Sequence, residues 1–226
     1  KLLTATRVMQ LVESGDLGLE MPISDCVPGA PREVTLEHLL SHTSGLRDQT
    51  KAFLAFHVEP RRRPTTSEAL SRFSLKAHEN PGGKASYQNV NYMLLGAAIE
   101  AVTQRPFDED LHENVLEPLG MQGGLRMVGL EAPERAATGY LCRFDMTGLL
   151  ILALVPSVRR LFGKRIEGFV ELRHYDLDCV PLGGLVTTVE DAAKFVQDQL
   201  ATESCLLPND SRDRMRVLVG RGKAGL

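Results

Sequence analysis

Apolar side chains recur at helical spacing in several stretches of this chain, separated by segments rich in Pro, Gly and Asn. In residues 1–14, Leu2, Ala5, Met9 and Val12 share one face and Leu3, Val8 and Leu11 widen it. That pattern predicts an amphipathic helix, which Gly15 stops. Thr35 is placed to cap a short helix with Leu36, Leu39 and Leu40 inward. Ala69, Leu70 and Phe73 predict another over 67–75. The turn signal Asn80-Pro81-Gly82-Gly83 precedes a longer apolar pattern, Leu94, Leu95, Ala98, Ile99 and Val102. Asn89 or Asn91 is placed to cap that helix, which runs to Thr103. Pro106 starts the next helix at its first turn, where a missing N–H costs nothing, and Phe107, Leu111 and Val115 bury. Thr187 and Glu190 read as a capping box for a helix through Leu200, with Ala192, Ala193, Phe195, Val196 and Leu200 inward. Helix should far exceed strand.

Composition narrows the class. The 226 residues fit one large domain or two intimate subdomains. A chain of this length buries roughly 70–75% of its unfolded surface, so a core needs neither disulfide nor metal. The net charge of -3 gives no electrostatic footprint for nucleic acid. Cysteines 26, 142, 179 and 205 have neither CxxC spacing nor zinc-ligand spacing with histidine. They read as scattered, mostly buried thiols, which leans toward a reducing, cytoplasmic compartment, and no metal or cofactor is expected. The basic run Arg61-Arg62-Arg63 reads as a solvated face. Residues 149–155 are all apolar. Seven residues fall far short of the roughly 20 that span a bilayer, so a buried or cleft-covering helix is expected. The basic residues Arg159, Arg160, Lys164 and Arg165 beside it leave a membrane-surface helix as the alternative.

Several motifs carry candidate chemistry. Tyr87-x-Asn89, followed by Asn91-Tyr92-x-Leu94-Leu95-Gly96, resembles the second motif of the serine β-lactamase-like family. That family includes class C β-lactamases, D-alanyl-D-alanine peptidases and related esterases. Lys1-x-x-Thr4-Ala5, then Val8-Met9-Gln10-Leu11-Val12-Glu13, resembles the helix after the family's nucleophilic serine. On that match Lys1 is the lysine of Ser-x-x-Lys. The serine would stand three residues upstream, outside this sequence. His42-Thr43-Ser44-Gly45-Leu46, Pro118-Leu119-Gly120-Met121 and the run from Gly183-Gly184-Leu185 to Phe195 also resemble family segments in the family's order. The resemblance covers about 1–121 and 183–200. Gln88 departs from it, since the family usually has a small residue there. The third motif is not found and is expected beyond Leu226, so both ends read as cut.

The resemblance implies an α+β fold of the serine β-lactamase/penicillin-binding-protein type, with residues 1–226 forming one truncated domain that supplies mainly the helical subdomain. The central sheet would come from residues outside the chain. It implies a serine acyl hydrolase acting through an acyl-enzyme on small esters, amides or β-lactams. A serine hydroxyl is a poor nucleophile until a base takes its proton. In the family a lysine and a tyrosine share that task, here Lys1 and Tyr87. Asn89 would hold the lysine or bind a substrate carbonyl. Without the serine, the chain by itself should be inactive. His42, Ser44 and Gly45 are expected to be structural near the cleft. Ser44 and His42 stand only two residues apart in a turn with no acid to orient the imidazole, so they do not read as a triad. Gly183 and Gly184 should permit close backbone approach at the cleft floor. Two other classes remain: a non-catalytic ligand-binding member of the same fold, and a membrane-associated interaction protein organised by residues 146–165.

Overall fold

The computed structural model describes residues 1–49, 56–57, 62, 64–122, 124–125, 136–142 and 156–217. Helices α1 (Leu2–Glu13), α2 (Leu36–Leu40), α3 (Thr66–Leu70), α4 (Asn89–Thr103) and α5 (Phe107–Leu111) come first. Residues 156–177 carry most of the strand, and α6 (Val189–Leu200) and α7 (Asn209–Arg216) follow. The largest sheet among the described residues is antiparallel and three-stranded. It comprises β3 (Gly139–Cys142), β4 (Phe162–Ile166) and β5 (Phe169–Leu172), with β5 central. Leu141 pairs with Val170, and Ile166 with Phe169. Short pairs join β1 (Phe56–His57) to β6 (Asp176–Leu177), and β2 (Gly124–Leu125) to β7 (Leu185–Val186). The fold is α+β with helix far in excess of strand, as expected.

Helix α4 is the element around which the rest packs. It touches α1, α2, α3, α5 and the 3-10 turn Val180–Leu182. Every residue from Val90 to Ile99 is buried. A helix surrounded on all sides must be apolar on all sides, which this one nearly is. Gly96 serves the packing. A Cβ there would lie 2.2 Å from Pro181 Cγ and 2.4 Å from Pro181 Cβ. Only glycine lets the 180–182 turn lie against the helix. Beneath it, α1 is tied to α5 by a two-pronged ion pair: Arg7 Nε donates to Asp110 Oδ2 at 2.7 Å and Nη2 to Oδ1 at 3.0 Å.

Several details differ from the sequence expectation. Leu2 is 67% exposed, because it stands at the first residue of α1, beyond the packing that covers Met9. Neither Asn89 nor Asn91 caps α4; the cap position is Gln88, and the orphan N–H groups are met from another loop. Helix α3 is shorter than 67–75 and is capped by Thr65, whose hydroxyl accepts from Glu68 N. The cap of α6 is Thr188, accepting from Asp191 N at 3.1 Å, one residue later than expected. Its inward stripe is Asp191, Phe195 and Asp198. Ala192, Ala193, Val196 and Leu200 face outward. Carboxylates win those positions because backbone groups need them: Asp191 accepts from Gln122 N at 2.8 Å and Asp198 from Cys205 N at 2.8 Å. Buried Arg212 of α7 donates to the carbonyls of Asp198 and Ala201 at the end of the same helix. Of the thiols, Cys179 is buried but Cys142 and Cys205 are exposed. Lys164 and Arg165 lie on β4, not on a helix, and residues 149–155 fall outside the described residues.

Candidate active site

The loop from His42 to Gly45 is a scaffold. Gly45 has φ +71, and a Cβ on it would meet Glu79 O at 2.1 Å, so the position takes glycine. Its carbonyl accepts from His78 N at 2.9 Å, Thr43 O from Gly82 N at 2.9 Å, and His42 O from Ser86 N at 2.9 Å. These bonds lay residues 78–86 along the loop and deliver Tyr87 to the mouth of α4. Buried Ser44 donates through Oγ to Asn91 Oδ1 at 2.7 Å, and its Oγ accepts from Leu46 N at 3.2 Å. The serine is a strut between loop and helix.

Lys1 enters from the start of α1. Its ammonium donates to Asn89 Oδ1 at 2.9 Å and to Leu182 O at 2.7 Å. It also sits 5.1 Å from the ring centre of Tyr87 and 5.3 Å from that of Tyr92, within range of a cation–π attraction. Residues 1, 87 and 89 thus converge on one spot although far apart in sequence. The Leu182 carbonyl is available because Gly96 admits the 180–182 turn and Thr4 Oγ1 donates to Pro181 O at 2.9 Å. Lys1, Thr4, Pro181 and Gly183 line a small cleft there. Gly183 is not in close contact: its φ of 177 is ordinary extended backbone and nothing lies within 4 Å of a built Cβ. The conformational demand falls on Gly184, with φ +103.

The electrostatics separate the rings. His42 is held neutral, its pKa pushed down to about 4 by burial first and the Lys1 charge second, with Asp48 opposing. Its Nδ1 accepts from Gln88 N at 3.2 Å and lies 3.1 Å from Asn91 Nδ2. That places the ring proton on Nε2. The imidazole stacks on Tyr87 at 4.7 Å and Tyr92 at 5.3 Å between centres. Tyr92 is buried, which pushes its phenol up to about 12, with Tyr87 adding to the effect. Tyr87 is 64% exposed and opens to solvent. One phenol is pinned in the core and the other stands at the surface beside an ammonium.

Three participants were not foreseen from sequence: Tyr92, the Leu182 carbonyl and Asp48. Asp48 Oδ2 accepts from Asn89 N and Nδ2, both at 2.9 Å, and Oδ1 from Val90 N at 2.9 Å. It is the missing cap of α4, supplied from 41 residues upstream. Gln88 returns the contact, its Oε1 accepting from Asp48 N at 2.7 Å, which accounts for a larger residue where a small one was expected. No local period could reveal these contacts; only the paired loop creates them. Among the described residues, no group of three or more His, Cys, Asp or Glu could hold a metal ion. Nor is any helix among them long and apolar enough to cross a membrane.

The chain is 32% identical over 229 residues to the D-alanyl-D-alanine-carboxypeptidase/endopeptidase AmpH of Escherichia coli (strain K12), covering 97% of this chain and 51% of that protein. It is 31% identical over 153 residues to penicillin-binding protein 4 of Amycolatopsis lactamdurans, covering 62% of this chain and 38% of that one. The chain therefore spans about half, or less, of the length of these relatives. A penicillin binding protein from Bacillus halodurans superposes with a TM-score of 0.70 at 26% identity, over 94% of this chain and 59% of that one. The D-amino acid amidase from Ochrobactrum anthropi SV3 shares the fold, with a TM-score of 0.70 at 23% identity, over 93% of this chain and 56% of that one. The sequence profile of the Beta-lactamase family matches residues 1–225, the span that brings lysine, tyrosine and asparagine together, and the chain belongs to that family.

Proposed function

We propose that these residues form the base half of a serine acyl hydrolase that works through an acyl-enzyme on small amides, esters or β-lactams. The observation that carries this reading is the Lys1 ammonium, held by Asn89 Oδ1 and Leu182 O beside the exposed Tyr87 ring. Two carbonyls fix the amine, so its remaining direction is set rather than searched for, and positioning of this kind is a large part of catalysis. The nucleophile is a serine three residues before Lys1. Its Oγ proton passes to the Tyr87–Lys1 pair as Oγ bonds to the substrate carbonyl carbon. The same pair returns a proton to the departing amine, alcohol or lactam nitrogen, and water then cleaves the acyl-enzyme. Asn89 orients the lysine and its amide borders the substrate. The names of AmpH and the amidase, a D-alanyl-D-alanine peptidase and a D-amino acid amidase, favour amide substrates.

The test is timed labelling with a fluorophosphonate or penicillin probe, read by intact-protein mass spectrometry, in the longest natural chain that contains these residues. Lys1→Ala and Tyr87→Phe should each slow labelling by about 10² or more. Parental rates in both variants would overturn the mechanism. A residue other than serine three positions before Lys1, with no labelling at all, would favour a non-catalytic ligand-binding member of the fold.

A further inference from the structure

Asn89 can present either end of its amide to Lys1, and only one end is useful. A carbonyl oxygen accepts from an ammonium, whereas an NH2 group opposes it. What decides the orientation lies on the other side of the amide. Asp48 Oδ2 accepts from both the backbone N–H and the Nδ2 of Asn89, at 2.9 Å each. A carboxylate offers no donor, so it can face only the NH2 end. The carbonyl end is then turned toward Lys1, where it accepts at 2.9 Å. The carboxylate is itself held, with Oδ1 on Val90 N and its own backbone N–H on Gln88 Oε1.

Building on the proposed function above, we propose that Asp48 is a positioning residue. It locks the Asn89 amide so that the carbonyl holds the Lys1 amine in line with the nucleophile. It acts through the hydrogen bond from Asn89 and not through its charge. Asp48 also caps α4, so a loss of stability on substitution would not by itself separate the two roles. The identity of the replacement does. Asparagine at 48 places its single oxygen where Oδ2 stands, keeping both bonds from Asn89 and losing only the one from Val90. Alanine loses all three and lets the Asn89 amide turn.

The experiment measures probe labelling rate and Tm in the longest natural chain that contains these residues. Asp48→Ala should slow labelling about tenfold. Asp48→Asn should recover most of that rate, to within about threefold of the parent, although Tm falls in both variants. On an Asn89→Ala background, Asp48→Ala should slow labelling no further while still lowering Tm, since its effect on rate runs through the missing amide. The proposal is overturned if Asp48→Asn labels as slowly as Asp48→Ala, or if Asp48→Ala slows labelling equally with and without Asn89. Lys1→Ala is the reference arm. A parental rate there sinks the proposed function itself. A slow Lys1→Ala beside a parental Asp48→Ala sinks only the role of Asp48.

Discussion

Helices α4 and α6 have similar lengths and opposite logic. Helix α4 is buried from Val90 to Ile99 and carries two asparagines in its first turn, where Asn89 and Asn91 bind Lys1, Asp48, Ser44 and His42. Helix α6 turns Asp191, Phe195 and Asp198 inward and leaves Val189, Val196 and Leu200 at 82%, 53% and 75% exposed. The difference shows what each helix is for. Burial of apolar surface holds α4 in place, so its first turn can be spent on the site. Carboxylates add hydrogen bonds to the hold on α6, because the loops beside it carry N–H groups that need acceptors.

That contrast can be broken by substitution. Leu94 is fully buried in the middle of α4, so Leu94→Ala should cost about 2–5 kcal/mol in a denaturant titration. A loss under 1 kcal/mol would mean the helix does not anchor the core. For α6 the vulnerable residue is polar. Asp198→Ala strands Cys205 N and Ser204 Oγ, which donate to it at 2.8 and 2.7 Å. It should destabilise by about 1–3 kcal/mol, more than truncation of the outward Val189, Val196 or Leu200. The polar start of α4 should also make the fold sensitive to acid. His42 titrates near 4 when folded against an ordinary 6.5, so the folded chain binds fewer protons between those values. Stability is then complete above about pH 6.5 and falls as pH drops toward 4, by on the order of 1–2 kcal/mol after allowing for partial exposure. His42→Gln should flatten that limb of a Tm-against-pH curve. The smallest effect belongs to the outer face of α6, where Val196→Ser should change stability by less than about 0.5 kcal/mol. A large loss there would show that this face is covered in the folded protein.

The same two helices explain what could be read from sequence. The period of Leu94, Leu95, Ala98 and Ile99 located α4, since apolar residues there report burial directly. Tyr87, Asn89 and Lys1 were legible only as motifs, and their convergence needed the tertiary structure. For α6 the span was legible but the face was not. Outward Val196 and Leu200 look like core residues, and inward Asp191 and Asp198 look solvated, until the backbone groups they satisfy are seen. Asp48 was missed for a related reason: a cap supplied by a loop 41 residues away leaves no mark in the helix's own sequence. Gly96 was read as part of a motif, but its packing against Pro181 is a contact between distant segments.

In the proposed mechanism the exposed phenol beside Lys1 takes the nucleophile's proton, and its buried neighbour does not. Tyr87 and Tyr92 lie at nearly equal distances from the ammonium, 5.1 and 5.3 Å to the ring centres, so proximity alone does not distinguish them. Burial does, since it holds the Tyr92 phenol near 12 and leaves Tyr87 open to solvent. The decisive measurement is the probe-labelling rate of Tyr87→Phe against Tyr92→Phe in the same protein at neutral pH. Tyr87→Phe should slow labelling by about 10² or more, while Tyr92→Phe should stay within about threefold of the parent. Equal rates for the two variants, or a larger loss from Tyr92→Phe, would contradict it.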